Sequence, residues 1–113
     1  MKIKIFEAST QIAEAEIYAL DPPMCVAIAK FFPVDAYDQA RHANVIDGDY
    51  VGDRSENLRM EMQDGSTLKS QAISIQDFPM LDEREVHILG IYEPSFDELF
   101  RDHPDFKAYW GAR

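Results

Sequence analysis

Three histidines, His42, His87 and His103, are the side chains that could act as general bases near neutral pH. They form no HExxH or His-x-His arrangement, and Cys25 is the single thiol that could pair with one of them. His87 lies in an apolar run, where a bond to a neighbouring side chain accounts for it, and His103 precedes Pro104 as a helix N-cap does. We therefore keep only His42 as a candidate site residue.

Clustered carboxylates are the second feature that could carry chemistry, because calcium prefers several oxygen ligands on a tight loop. The cluster here consists of Asp47, Asp49, Asp53 and Glu56. Its spacing does not match an EF-hand, and acids that keep turn tips solvated explain it better. We predict no metal ligands, and we retain as an alternative a small metal-dependent or small-molecule enzyme around His42 and the loop of Asp47, Asp49 and Asp53.

The motifs of the large cofactor-binding classes are absent from the sequence. It contains no GxGxxG, no GxxxxGK[ST] and no GxSxG, and its five glycines are spread along the chain. Dinucleotide binding, P-loop chemistry and a serine nucleophile elbow therefore lack their signatures. We predict no cofactor and no catalytic residues, and we favour a protein that is not an enzyme.

The densest charge lies near the C-terminus, where residues 77–105 hold nine acids against Arg84 and Arg101. Aromatic residues are interleaved with these acids, and aromatic anchors beside steering carboxylates are typical of surfaces that bind a basic protein. The residues predicted to bind a partner are Phe96, Phe100, Tyr109 and Trp110, with Asp97 and Asp102. The alternative is that the rings are helix faces buried on a sheet and the acids form the solvated side.

Composition limits the classes of partner. The chain has 113 residues, of which 46% are hydrophobic, and a net charge of −10, so we expect one domain that folds alone. This charge disfavours nucleic acid and anionic membranes and favours a basic protein partner. A homo-oligomeric structural domain, closed as a homodimer by exposed aromatics, is a further alternative. The single cysteine and the absence of a long apolar segment predict a cytoplasmic protein.

The elements that must position these residues are mainly strands. Lys2 to Phe6 alternates strictly, and Gln11 to Leu20 also favours a strand. The runs from Met24 to Phe32 and from Val86 to Tyr92 are apolar almost throughout, which predicts strands buried on both faces. Between them, Val45-Ile46 and Tyr50-Val51 predict short strands, and no linker, repeat or low-complexity tract is evident.

A hairpin over residues 58–75 is the clearest local prediction. Leu58, Met60 and Met62 alternate with polar residues before a turn at Asp64-Gly65. A loop of odd length is needed to bring these side chains to one face together with Leu68 and Ala72. We therefore predict a three-residue loop with Gly65 in the left-handed conformation.

Two short helices are predicted at the C-terminus. Ser95 and Glu98 have the spacing of a capping box, and Pro104 is suited to the first position of a second helix that Gly111 would stop. Together these elements predict an α+β, β-rich fold: a small curved antiparallel sheet or partly open β-barrel of five to seven strands, with short C-terminal helices.

Residues 45–91 resemble the second-domain β-barrel of GTP-dependent translation elongation factors. The resemblance rests on Gly48, the Gly52-Asp53 step, Ile75, Phe78 and the late apolar strand Val86 to Ile91. It implies a small barrel that could pack on a partner, and it carries over no functional residue. The function that we predict is a non-enzymatic protein-interaction or regulatory module that uses the acidic, aromatic C-terminal region.

Overall fold

The computed structural model of the protein describes residues 1–110, apart from the side chain of Ser55. Within this range the strands are β1 Lys2–Glu7, β2 Thr10–Asp21, β3 Val26–Pro33, β4 Val45–Ile46, β5 Asp49–Tyr50, β6 Leu58–Met62, β7 Thr67–Phe78 and β8 Glu83–Glu93. The helices are α1 Gln39–His42, α2 Phe96–Phe100 and α3 Pro104–Trp110, with 3₁₀ turns at Pro22–Met24, Ser55–Asn57 and Pro79–Leu81. None of the helices in this range has the length and apolar composition needed to cross a bilayer.

Six of the strands close into an antiparallel barrel. The order along the sheet is β7-β6-β1-β2-β3-β8, and β8 pairs with β7 to complete the circle. The short strand β4 pairs in parallel with the C-terminal end of β7, and β5 pairs with β4. The β-rich fold class predicted from the sequence is confirmed, with eight strands within residues 1–110 where five to seven were expected.

The barrel has a single buried face, which corrects the prediction that residues 24–32 and 86–92 are buried on both faces. Alternate side chains of β3 and β8 point into the core, and those between them are wholly or partly exposed. A closed barrel of this size is filled by inward-facing side chains, so even an apolar strand turns half its residues outward. The inward residues are Ala27, Ala29, Phe31, Val86, Ile88 and Ile91.

The predicted hairpin loop is confirmed. Met62 N–H donates to the carbonyl of Ser66 over 2.8 Å, which leaves three residues in the loop, and Gly65 has a φ of +86°. Met60 lies opposite Leu68, as expected. Ala72 is only partly buried, so its predicted place beside Leu68 in the core is wrong. Beyond the segment of β7 that pairs with β6, the register with β8 shifts between Lys69 and Ser70, and the buried residues of β7 are then the odd-numbered ones from Ile73 onward.

The C-terminal predictions are also confirmed where the structure describes them. Ser95 Oγ accepts a hydrogen bond from the Glu98 amide at 3.2 Å, and His103 Nδ1 accepts one from the Asp105 amide at 3.1 Å. These contacts satisfy free amides at the N-termini of α2 and α3. The predicted stop at Gly111 lies outside the described residues.

The two halves of the chain repeat one architecture, which the sequence had not suggested. β2 and β7 are both 12 residues long and begin 57 positions apart, and the same offset relates their following 3₁₀ turns. The first turn ends at Cys25, with φ 53° and ψ 42°, and the second at Asp82, with φ 51° and ψ 42°. The offset also relates Asp38 and Ser95, which cap the N-termini of α1 and α2.

Strand pairing shows that the halves are related by an approximate twofold axis. Lys4 lies opposite Glu61, 57 positions later, in the β1–β6 pair. Ala29 lies opposite Val86, again 57 positions later, in the β3–β8 pair. When two residues at equivalent positions of the repeat lie opposite each other in an antiparallel pair, a twofold axis between them exchanges the two strands. The barrel is therefore two β-β-β-α units joined at two seams, β1–β6 and β3–β8.

The β1–β2 and β6–β7 turns offer a matched test of backbone strain. Ala8 and Gly65 occupy equivalent positions, with φ of +53° and +86°, and nothing lies within 4 Å of the position that a Cβ on Gly65 would take. We expect Gly65→Ala to lower the free energy of unfolding by about 1 kcal/mol and Ala8→Gly to raise it by up to about 1 kcal/mol, because only glycine adopts this conformation without strain. Urea unfolding measures the free-energy change of both variants. Equal changes of the same sign would contradict the assignment of backbone strain to Ala8 and not to Gly65.

Candidate protein-binding surface and a buried polar network

Two of the predicted anchors belong to the core. Phe96 and Phe100 are only 3% and 2% exposed, and their rings lie 4.9 Å apart under α2. The apolar face of this short helix packs against the end of the barrel and leaves its charged face outside. These two phenylalanines are therefore removed from the predicted binding surface, and the alternative of buried helix faces is correct for them.

Helix α3 contacts the rest of the protein through the side chains of Asp105 and Phe106. The Asp105 carboxylate accepts a hydrogen bond from the backbone amide of Leu20 in β2 at 2.9 Å. Phe106 packs against the core and lies 6.3 Å from Phe96 between ring centroids. Beyond this contact Tyr109 and Trp110 lie edge to face, 4.6 Å apart, and are 43% and 38% exposed. The inner side of α3 is thus fixed while two large aromatic residues remain accessible.

The acids of these helices remain in water. Asp97 and Asp102 are exposed, and within residues 1–110 neither takes part in an ion pair. By contrast, Glu93 at the end of β8 pairs with Lys69 at 3.3 Å. We refer to Asp97, Asp102, Tyr109 and Trp110 as the C-terminal surface. It keeps four of the six residues that the sequence analysis selected.

His42, the candidate base, is a buried structural residue. Its Nδ1 accepts a hydrogen bond from the Asp38 amide at 2.9 Å, and its Nε2 lies 3.2 Å from a carboxylate oxygen of Glu7. The ring also stacks on Tyr37, 5.8 Å away between centroids. Both nitrogens are occupied and the residue is 2% exposed, so the imidazole holds α1 against the turn after β1.

The acidic loop does not assemble around His42. A carboxylate oxygen of Asp47 accepts a hydrogen bond from the Met80 amide at 3.2 Å, which ties the β4–β5 turn to the third 3₁₀ turn. Asp49 and Asp53 are exposed. Among residues 1–110 no group of three or more His, Cys, Asp or Glu side chains is arranged to hold a metal ion. The structure therefore adds no support to the alternative of a metal-dependent enzyme at this loop.

A buried polar network that the sequence analysis missed lies at the end of β7 that pairs with β4. Asp77 is fully buried, and one of its oxygens accepts a hydrogen bond from the Tyr37 hydroxyl at 2.7 Å. Its other oxygen lies 3.2 Å from Arg84 Nε, a close ion pair whose geometry does not make a hydrogen bond. Burial, and then the bond to Asp77, raise the pKa of Tyr37, so its hydroxyl stays protonated and donates. The available signal was the position of Asp77 after the alternating residues Ile73 and Ile75.

No protein-family model, curated protein sequence or solved structure gives a significant match to this chain. The resemblance of residues 45–91 to the elongation-factor barrel therefore stays a prediction. Function has to be argued from the surfaces themselves.

The Tyr37–Asp77 bond gives a stability prediction. Tyr37→Phe removes the hydroxyl and leaves a fully buried carboxylate with one partner fewer. We expect the free energy of unfolding to fall by about 1.5–3 kcal/mol, the usual range for a bond to a charged group. Tyr92→Phe is the matched control, because Tyr92 is 57% exposed and should change stability by less than about 0.5 kcal/mol. Equal urea midpoints for the two variants would contradict the role of the network.

Glu7 gives a prediction about pH. Hydrogen bonds from Arg41 and then from His42 hold the pKa of this carboxyl below its ordinary value of 4.5. A carboxylate with a lowered pKa in the folded state contributes stability above its unfolded pKa, and this contribution is lost as the pH falls through the folded value. Glu7→Gln should therefore lose less stability than the unchanged chain when the pH falls from 6 to below about 4. Glu56→Gln is the control, because Glu56 is an exposed acid that lines the same surface pocket as Glu7. In urea titrations the stability of this variant should depend on pH as that of the unchanged chain does.

Proposed function

We propose that this protein is a non-enzymatic interaction or regulatory module that binds a basic protein through its C-terminal surface. The observation that carries the proposal is the exposed pair of Tyr109 and Trp110 on a helix whose opposite side is fixed to the barrel. Large aromatic side chains on a rigid support are favoured as interface anchors, because they bury much area and lose little conformational entropy.

Charge supports the same proposal. Asp97 on α2 and Asp102 in the turn before α3 are exposed, and neither has an ion pair among residues 1–110. Carboxylates at the rim of an interface speed encounter with a cationic surface and make binding sensitive to salt. The net charge of −10 adds a long-range attraction for the same class of partner. We place this interaction in the cytoplasm, a proposal that rests on the single cysteine.

The test is affinity capture with matched variants. The unchanged protein, immobilised, should retain one or more basic proteins at about 50 mM salt and release them at about 500 mM, because screening shortens the range of the carboxylate field. Trp110→Ala and Asp102→Lys should each reduce retention at least about five-fold, the effect of losing an anchor or reversing a rim charge.

Tyr50→Ala is the control, since Tyr50 is 70% exposed but lies in β5. It should retain the same proteins as the unchanged chain. Thermal unfolding of every variant establishes that the fold is kept. Retention of no basic protein at low salt, or equal retention by Trp110→Ala and the unchanged chain, would count against the proposal.

A further inference from the structure

The barrel is open at one place along the seam between β3 and β8. The two strands pair from Ala27 opposite Ile88 to Lys30 opposite Glu85, and pairing stops there. A cleft of about 580 Å³ lies between the end of β3, at residues 31–33, and the start of β8, at residues 82–85, with Tyr18 at its side. None of the residues that line the cleft belongs to the C-terminal surface.

The twofold relation shows that this opening is a departure from the repeated architecture. At the other end of the same seam, the Ile91 amide donates to the carbonyl of Cys25 at 3.1 Å, so the strands stay joined. At the open end the equivalent donor is the amide of Val34, which donates instead to the carbonyl of Ile12 in β2 at 2.9 Å. One end of the seam is closed by hydrogen bonding, and the other is left accessible.

A β-bulge turns an aromatic ring toward the cleft. The β2–β3 register shifts between Ile17 and Ala19, so Tyr18 has no partner opposite it. Its equivalent in the second half, Ile75, pairs regularly with Val86 and is fully buried. Tyr18 is instead 46% exposed, and Phe32, which also lines the cleft, is 52% exposed. Bulges commonly redirect a side chain next to a binding site, and here the bulge supplies one of two accessible rings.

Acidic side chains outnumber basic ones in the lining of the cleft, with Asp82, Glu83 and Glu85 against Lys30 and Arg84. The Tyr18 hydroxyl donates to Glu85 at 2.5 Å, and His87 Nε2 lies 3.3 Å from the other oxygen of Glu85. The hydrogen bond to Glu85 comes first among the causes that raise the pKa of Tyr18 to about 12, followed by burial and by the charges of Glu85 and Glu83.

Two cations also line the cleft, but one of them is already neutralised. Arg84 lies 3.2 Å from the buried carboxylate of Asp77 and 3.9 Å from that of Asp82. Lys30 is therefore left to oppose Glu83 and Glu85, and it lies opposite Glu85 in the β3–β8 pair. The local balance thus stays acidic.

From these features we infer that the cleft receives a lysine or arginine side chain of a protein partner. A cation in the cleft would meet the exposed rings of Tyr18 and Phe32 and the carboxylates of Glu83 and Asp82, which all line it. This occupant is complementary to the cleft in charge. The inference goes beyond the proposed function, because it names a second contact site and does not depend on the C-terminal surface.

Titration with a capped tri-arginine peptide, followed by NMR of the full chain, tests this inference. Saturable shifts are expected at Tyr18, Phe32 and the backbone of residues 82–85. Phe32→Ala and Glu83→Gln should each weaken binding about three-fold, as expected for losing one cation–π contact or one exposed charge pair. Glu56→Gln is the matched control, because Glu56 is an exposed acid that does not line the cleft. It should bind the peptide as the unchanged chain does.

Two further peptides make the outcome decisive. A capped tri-citrulline peptide has a similar shape without the charge and should not bind, and a tri-glutamate peptide should not bind either. Binding of either one with equal affinity, shifts centred on residues 97–110, or equal affinities of Phe32→Ala and Glu56→Gln would overturn the inference. Trp110→Ala should leave tri-arginine binding unchanged, which separates failure of this site from failure of the proposed function.

Discussion

The two seams between the halves, β1–β6 and β3–β8, are the constraint on which the structure depends. Each half supplies three consecutive strands with one apolar face, and such a sheet has nothing to cover that face by itself. Pairing at both seams closes six strands into a barrel and buries the inner residues of both halves together. The seams also place the two 3₁₀ turns at opposite ends of the barrel, because β3 and β8 run antiparallel and each turn precedes one of them.

The segments that follow the helices break this symmetry. After α1 the chain adds β4 in parallel to β7, where Asp77, opposite Ile46 of β4, accepts a hydrogen bond from Tyr37 and forms an ion pair with Arg84. After α2 the chain forms α3, whose Asp105 binds the backbone of β2. The three core strands of each half form the barrel wall and bury the same face. These two segments and the open end of the β3–β8 seam, by contrast, differ between the halves. The surfaces that we assign to binding lie at such differences, where packing of the repeat does not dictate the residues.

Acidic charge has a different role at each of these places. The carboxylate of Asp77 is desolvated and balanced by a hydroxyl and a guanidinium, so it contributes to the uniqueness of the fold and costs free energy if a partner is lost. Asp97 and Asp102 remain hydrated and contribute mainly to attraction over distance. In the net charge these three carboxylates contribute equally, and only their burial in the structure distinguishes the role of Asp77 from that of Asp97 and Asp102.

Local signals in the sequence determined much of the secondary structure: the alternation of β1, the odd-length loop at Gly65, and the caps of α2 and α3 at Ser95 and His103. These features depend on neighbouring residues, so they can be inferred from spacing alone. Tertiary structure decided which side of an apolar strand is buried, that Phe96 and Phe100 lie in the core, and that His42 is held by Glu7. It also decided that the chain consists of two equivalent halves. A barrel needs an apolar side chain at each inward position but permits the residue to differ, as at the equivalent buried positions Ile3 and Met60, so the repeat leaves little trace in the sequence.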